Sequence, residues 1–298
     1  MIHVARDQSV FSLSAEALPV ARIRPGDSVV LDTADCFSDQ IQSADATPGG
    51  VDWEHINPAT GPVFVEGAEP GDVLEVLIER IDVARHGVMA VSGDFGVLRD
   101  RFEGMSFALV SIEGDTAQVA GATVPVRPMI GVIGVAPSGA PVPCGSPGSH
   151  GGNMDTRLIG EGATLYLPVF APGALLAAGD LHAAMGDGEI CGTGVEVAGS
   201  VQLRVDVRRD IKLDNPALVT SDVVATIASA ESLDEAADRA VSDMADLITQ
   251  RLGLSASEAT MLMSAAGELQ VSQVVDPLKT ARFAMPVVIL AQFERSLF

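Results

Sequence analysis

Val195-Glu-Val-Ala-Gly-Ser-Val-Gln-Leu-Arg-Val-Asp-Val207 puts Val195, Val197, Val201, Leu203, Val205 and Val207 at alternate positions. A period of two is the signature of a half-buried strand, so this stretch predicts a long strand or a hairpin. After it the period changes to 3.6. Ser232 and Glu235 make a Ser-x-x-Glu capping box for a helix in which Leu233, Ala237, Ala240, Val241, Met244, Leu247, Ile248 and Arg251 keep three- and four-residue spacing, closed by Gly253. Its acids Asp234, Glu235, Asp238 and Asp243 lie on the opposite face, so it reads as a core or subunit-packing helix. Ser255 and Glu258 repeat the device for a second helix ending near Gly267, and Leu269–Val275 and Val287–Phe293 read as strands.

Upstream, the chain reads as short strands separated by turn chemistry. Asp72–Val83 sets Leu74, Val76 and Ile78 on one face with Glu75 and Glu79 among the alternates. Phe107–Ile112 and Thr116–Ala120 flank Glu113-Gly114-Asp115, a hairpin signal. Pro-Gly-Asp occurs at Pro25–Asp27 and Pro70–Asp72, each ahead of a β-branched run; it reads as type II turn punctuation in preference to a duplicated unit. The expected architecture is mainly β with an α+β C-terminal part: a β-rich domain over residues 1–210 carrying the reactive loops and an α+β domain over 211–298, with the boundary near 205–220.

Composition excludes several classes. The 298 residues hold 40 acidic and 18 basic side chains, a formal charge of -22, and two lysines, Lys212 and Lys279. Phosphate contacts need clustered Lys and Arg, so a nucleic-acid partner is excluded. With 47% hydrophobic residues the chain has ample material for a core. Of the long uncharged stretches, Pro128–Met154 holds five prolines and seven glycines, and Gly162–Gly179 is broken by Pro168, Pro172 and Gly173, so neither reads as a membrane span. The first residues lack a basic region followed by a long apolar core. Three widely spaced cysteines, Cys36, Cys144 and Cys191, without a CxxC pair, argue against a disulfide framework and against a thiolate zinc site. A reduced, cytoplasmic protein with no membrane partner is the expectation.

Chemistry concentrates between Gly145 and Glu196. His150 and His182, two of the five histidines, fall there with Asp155, Asp180, Asp187 and Glu189, against one basic residue, Arg157. Nitrogen and oxygen donors with hardly any cation are what a divalent metal needs. Single members of such a set are ordinarily turn or surface residues; the clustering carries the reading. Histidine leans the choice to zinc, with Ca, Mg or Mn open. Lys212 and Lys279 stand away from any Gly/Ser-rich core, which argues against lysine-dependent amidases, and GxSxG, Walker A and GxGxxG patterns are missing. Trp53-Glu54-His55 reads either as pocket lining or as a loop anchor.

His150-Gly-Gly-Asn-Met-Asp155, Glu161–Val169 and Gly179-Asp-Leu-His-Ala-Ala-Met-Gly-Asp-Gly-Glu189 resemble the acetamidase/formamidase family. Further matches are Asn57–Pro62, Val65–Asp72, Met129–Pro137 and Gln273–Pro277. The resemblance implies a β-sandwich, jelly-roll-like core with a smaller α/β unit, hydrolysis of C–N bonds in small amides, with lactams an alternative, associated metal ions, and a homodimer. Residue by residue it carries over His150, Asn153, Asp155, Asp180, His182, Asp187, Glu189, Asp35 and Glu66. On this basis Asp35, Asp155 and His182, with His150, are the expected ligands of a divalent ion. Glu189, then Glu66, is the expected proton-transfer acid, and Gly151, Gly152 and Asn153 are the expected substrate-orienting residues. Met185 stands where many relatives have Gln, making the pocket more apolar. The rival readings are a non-catalytic Ca²⁺-binding or small-ligand-binding sandwich and a covalent amidase using Cys144 or Cys191.

Overall fold

The computed structural model describes residues 1–43 and 45–298. Among them the chain is mostly β, with helices confined largely to the C-terminal quarter. One sheet of nine strands runs in the order Ile2–Val4, Ser28–Thr33, Gly199–Arg208, Val73–Val83, Thr164–Pro168, Ala217–Val219, Val223–Ala230, Lys279–Pro286, Glu268–Gln273. A second sheet of eleven strands is centred on Glu196–Val197, Leu176–His182 and Met129–Gly134. Leu74, Val76 and Ile78 of the first sheet and Ile130, Ile133 and Leu181 of the second bury into one apolar cluster between them, so the body is a β-sandwich.

Val195–Val207 divides between the sheets. Glu196–Val197 pairs in the second, and after Ala198 the chain enters the first as Gly199–Arg208. Gly199 permits the crossing, because a β-carbon there would stand 2.2 Å from the Asp82 carbonyl oxygen. Val73–Val83 is the expected strand, and Ser106–Glu113 and Thr116–Val119 pair antiparallel around Gly114-Asp115 as the hairpin. Both Pro-Gly-Asp segments are turns. The Asp27 and Asp72 N–H groups donate to the carbonyls of Arg24 and Glu69, each at 3.0 Å, with Gly26 and Gly71 at φ +87° and +91°. That positive φ is what a type II turn requires at its third residue.

Helices Leu233–Leu252 and Ala256–Ala266 form as expected. Ser232 accepts from the Glu235 N–H, Gly253 closes the first helix at φ +76°, and Ser255 with Glu258 makes a full capping box. Met244, Leu247 and Ile248 of the first and Met263 of the second pack on Phe283 and Met285 of the sheet. The expected strand over Val287–Phe293 is corrected: the strand is Lys279–Pro286, and Val287–Leu290 is a short helix with Val288 72% exposed. Thr280–Met285 is buried at every residue, so it does not alternate and hides from a period-two search. Hydrogen bonding in the nine-stranded sheet is continuous across residue 210, while the cores on its two ends are separate clusters. No helix among the described residues is long and apolar enough to cross a membrane.

Candidate active site

The strand Leu176–His182 ends on His182, directly opposite Glu196 across the antiparallel pair. The Gly194 N–H donates to Glu196 Oε1 at 2.7 Å, and Glu196 Oε2 stands 3.1 Å from His182 Nε2. Asp180, two residues earlier on the same face, has its Oδ1 3.4 Å from that nitrogen, and Asp155 Oδ1 is 3.7 Å from it. Ligand atoms of Asp155, His182 and Glu189 lie within 4.8 Å of one another; so do those of Cys36, Asp180 and Glu196.

The backbone is bent to achieve this. Asp155, Asp180 and Glu189 sit at φ +39°, +54° and +47°, a left-handed conformation that costs a non-glycine residue on the order of 1–3 kcal/mol. The ladder between Met129–Gly134 and Leu176–His182 skips the Gly131/Asp180 pair. Gly131 leaves the needed room: a β-carbon there would lie 2.5 Å from Asp155 Oδ1 and 2.6 Å from Asp180 Oδ2.

These groups are buried and short of partners. Asp155 Oδ1 and Oδ2, Asp180 Oδ1, both His182 nitrogens, Glu196 Oε2, Asn153 Oδ1 and His150 Nε2 are buried without a hydrogen bond. Leaving ionisable atoms dry and unpaired is costly, and a divalent cation satisfies such a set; carboxylate, imidazole and thiol donors fit one. Electrostatics agree. Burial first, then the charge of Asp180, pushes Asp155 up to about 7. Burial followed by Asp180, with His182 opposing, pushes Glu196 up to about 8. Glu189 is raised well above the carboxylate range by burial and then by Asp155. Burial raises Asp180 too, but the charge of His182, 3.4 Å away, outweighs it and holds this carboxyl low. Burial opposes protonation of His182, yet Glu196 and Asp180 hold it well above its ordinary value. Cys36 stays a thiol, raised by burial and by Glu196.

Of the residues expected from sequence, Asp155, His182 and Glu189 come together. Asp35 is buried beside them, but its Oδ1 accepts from the Phe37 and Asp39 N–H groups at 3.0 and 2.8 Å, and burial raises it to about 6. His150 is buried, lowered by burial to about 4, and stands outside both ligand sets. Glu66 is corrected: it is 52% exposed on the surface, 3.6 Å from Arg24, because it follows the strand Ala59–Val65 into a turn. Gly151 and Gly152 serve packing. Gly151 N–H donates to the Gly148 carbonyl, and β-carbons at the two positions would strike the Ile133 and Ser146 carbonyls at 2.4 Å. Asn153 Nδ2 donates to Asp276 Oδ2 at 2.9 Å, leaving its Oδ1 free. Cys36, Glu196 and Asp276 were missed by sequence reasoning as members of the group.

Glu189 also lines a half-open cavity of about 730 Å³ whose wall is largely apolar, with Met89, Leu158, Met185, Ile190 and Val195. Gly194, also in this wall, packs directly on His182: a β-carbon there would stand 2.7 Å from Nδ1. Arg157 and Arg282 hold Asp187 on this loop at 3.0 and 2.7 Å. Cys144 is buried, with its thiol pushed to about 12 by desolvation, so it is a poor nucleophile. Trp53 and His55 anchor a loop, donating to the Pro48 carbonyl at 3.1 Å and pairing with Asp52 at 2.7 Å.

The model of the acetamidase/formamidase family matches residues 14–143 and 140–292. The structure superposes with a TM-score of 0.95 on a predicted acetamidase/formamidase of the thermophile Thermoanaerobacter tengcongensis, 51% identical, covering 98% of this chain and 97% of that one. It does so equally on an acetamidase of Bacillus halodurans, TM-score 0.95 and 47% identical, covering 98% and 99%. A formamidase of Methylophilus methylotrophus is 26% identical over 259 residues, 64% of this chain and 62% of that protein. The chain spans about three fifths of the length of the curated relatives it matches. With two segments of the family model together covering nearly all of it, the chain belongs to the acetamidase/formamidase family.

Proposed function

We propose that this protein hydrolyses the C–N bond of a small amide to a carboxylate and ammonia, at the buried group formed by Asp155, His182 and Glu189. The observation that carries the reading is that Glu189 belongs both to this dry, under-partnered ligand set and to the wall of the cavity, so a substrate entering there meets the reactive groups. The names of the similar proteins support the same chemistry.

Asp155 and His182 would hold a divalent cation, zinc being favoured by the imidazole. When bound, such an ion supplies Lewis acidity for the amide carbonyl and acidifies a water molecule. Glu189 accepts the proton of the attacking water. Its raised affinity for that proton then lets it deliver it to the amide nitrogen, whose departure as ammonia requires protonation. Asn153 Oδ1, fixed in direction by the bond from its Nδ2 to Asp276, is set to accept from the substrate NH₂. The apolar wall around Met185 excludes water from the acyl side. We further propose, on the family resemblance, a cytoplasmic homodimer; a monomer in analytical ultracentrifugation overturns that assembly. Ammonia release from formamide, acetamide and a lactam, measured before and after chelation and metal return, tests the activity. Release from the linear amides that disappears on chelation and returns with zinc is expected; no release from any of them overturns it in favour of a binding module.

A further inference from the structure

Formamide and acetamide, with three and four heavy atoms, occupy little of the half-open cavity of about 730 Å³ beside Glu189. A water molecule takes about 30 Å³ of the liquid, and cavities of several hundred Å³ ordinarily enclose ligands of drug size. The wall is mostly side-chain carbon, contributed by Met89, Val119, Val124, Leu158 and Met185. Such a wall stabilises a bound chain of methylenes, which formamide lacks and acetamide replaces by one methyl group.

Polar side chains in the same wall are few, and most are occupied. Thr193 Oγ1 accepts from the Ala90 N–H at 3.1 Å, and the Cys191 thiol donates to the Thr193 carbonyl at 3.2 Å. Asp187 takes two guanidinium groups, Arg157 at 3.0 Å and Arg282 at 2.7 Å. Arg127 differs: among the described residues its guanidinium makes neither a hydrogen bond nor an ion pair. Its backbone N–H donates to the Ala183 carbonyl at 2.8 Å, which roots it one residue from His182. Glu189 is 7% exposed and Arg127 is exposed, so the cavity runs from the reactive carboxyl at its buried end to a free guanidinium at its open end, with hydrocarbon between. In a chain of formal charge -22 this mouth is positive, since the Asp187 group already sets two guanidinia against one carboxylate.

We infer that the substrate is an amide whose acyl chain ends in a carboxylate, the monoamide of a dicarboxylic acid, with its methylenes on the apolar wall and its carboxylate on Arg127. Guanidinium suits that end group because its planar fork gives a carboxylate two parallel N–H···O bonds. Leu158 and Met185 then select by chain length and Arg127 by charge. The inference narrows the substrate class of the amidase reading and rests on it. Water adds its oxygen to the carbonyl carbon, the C–N bond breaks, and the products are a dicarboxylate and ammonium.

The test is kcat/KM for ammonia release by the intact, zinc-loaded protein, from neutral amides between formamide and hexanamide and from the monoamides of succinic, glutaric and adipic acids. Along the neutral series a rise of about fourfold per added methylene is expected. Adipic monoamide should exceed hexanamide, which has the same number of carbons, by about tenfold. Arg127→Gln should collapse that ratio and Arg127→Lys should restore part of it, while added salt should shrink it in the unsubstituted protein. Formamide as the best substrate, equal values for adipic monoamide and hexanamide, or a preference that survives Arg127→Gln overturns the inference. Ammonia release from formamide in any of those cases leaves the amidase reading standing. If no amide releases ammonia, calorimetric titration with adipic monoamide decides separately. Binding that Arg127→Gln weakens by about tenfold supports the anion-binding cavity and overturns the amidase reading, whereas no binding overturns both.

Discussion

Glu189 is the residue at which burial, backbone strain and substrate access meet, and its substitution is the sharpest single test of the proposed chemistry. Glu189→Gln keeps the shape and removes the proton carrier, so turnover should fall by about two orders of magnitude while metal content, read by mass spectrometry, stays unchanged. Unchanged turnover would sink the role. Gly131 tests the room around the centre. Gly131→Ala meets Asp155 and Asp180 oxygens at 2.5 and 2.6 Å, so zinc affinity should drop with a stability loss of roughly 1–3 kcal/mol in urea titration. Asp155, His182 and Glu189 were legible because they crowd into one Gly-rich stretch. Glu196, at the edge of that stretch, looked like the polar alternate of a strand, and Cys36 was set aside for lacking a neighbouring cysteine. Spacing rules register ligands close in sequence, whereas this group draws on positions 36 to 276. Glu66 shows the opposite error, since a motif match says nothing about which way a turn points.

At the scale of elements, the caps were readable because they are local. The Ser255 side chain accepts from the Glu258 N–H, and the Glu258 carboxylate accepts from the Ser255 N–H at 2.9 Å. Ser255→Ala should therefore cost about 1 kcal/mol in thermal unfolding. The strand Lys279–Pro286 was not readable, because burial on both faces erases alternation, and the β-branched residues after it drew the assignment onto Val287–Phe293, directly downstream. That strand has functional weight through Arg282. Its guanidinium reaches across to Asp187 Oδ2 at 2.7 Å, and the backbone of Gly188 bonds to Ser272 and Val274, so the loop bearing Glu189 is pinned to the C-terminal sheet. Arg282→Lys keeps a charge but loses the planar fork. We expect a loss of about 2 kcal/mol, below that for a fully buried pair because Asp187 keeps 30% exposure, with kcat/KM falling at unchanged zinc content.

For the whole molecule, the proposed centre would make stability depend on pH and on metal together. Burial pushes Asp35, Asp155 and Glu196 up to about 6, about 7 and about 8 in the folded, cation-free chain, all above their ordinary range. Across that window the folded, cation-free chain binds more protons than the unfolded one, so its stability falls as pH rises. Asp180, held low by His182 against the opposing effect of burial, acts in the opposite sense below that window, and His150, lowered from 6.5 to about 4, opposes the fall through the lower part of it. The unfolding midpoint of chelated protein, followed by circular dichroism, should drop from about pH 6 to about pH 8, and zinc should restore more at the higher pH. A flat profile would mean that these carboxyls are not coupled to folding. The broad architecture was legible as a change of period along the chain; the tie between the C-terminal sheet and the reactive loop was not, because Arg282 and Asp187 are far apart in sequence and meet only once the sheet is complete. That tie has a temporal consequence during synthesis. Residues 186–189 leave the ribosome well before the strand that fixes them, so the nascent chain carries its acids and its histidine without their final arrangement. On the proposed function, competence is thereby deferred until that strand has emerged, and a chain stalled before it would present a pocket wall with no working centre behind it.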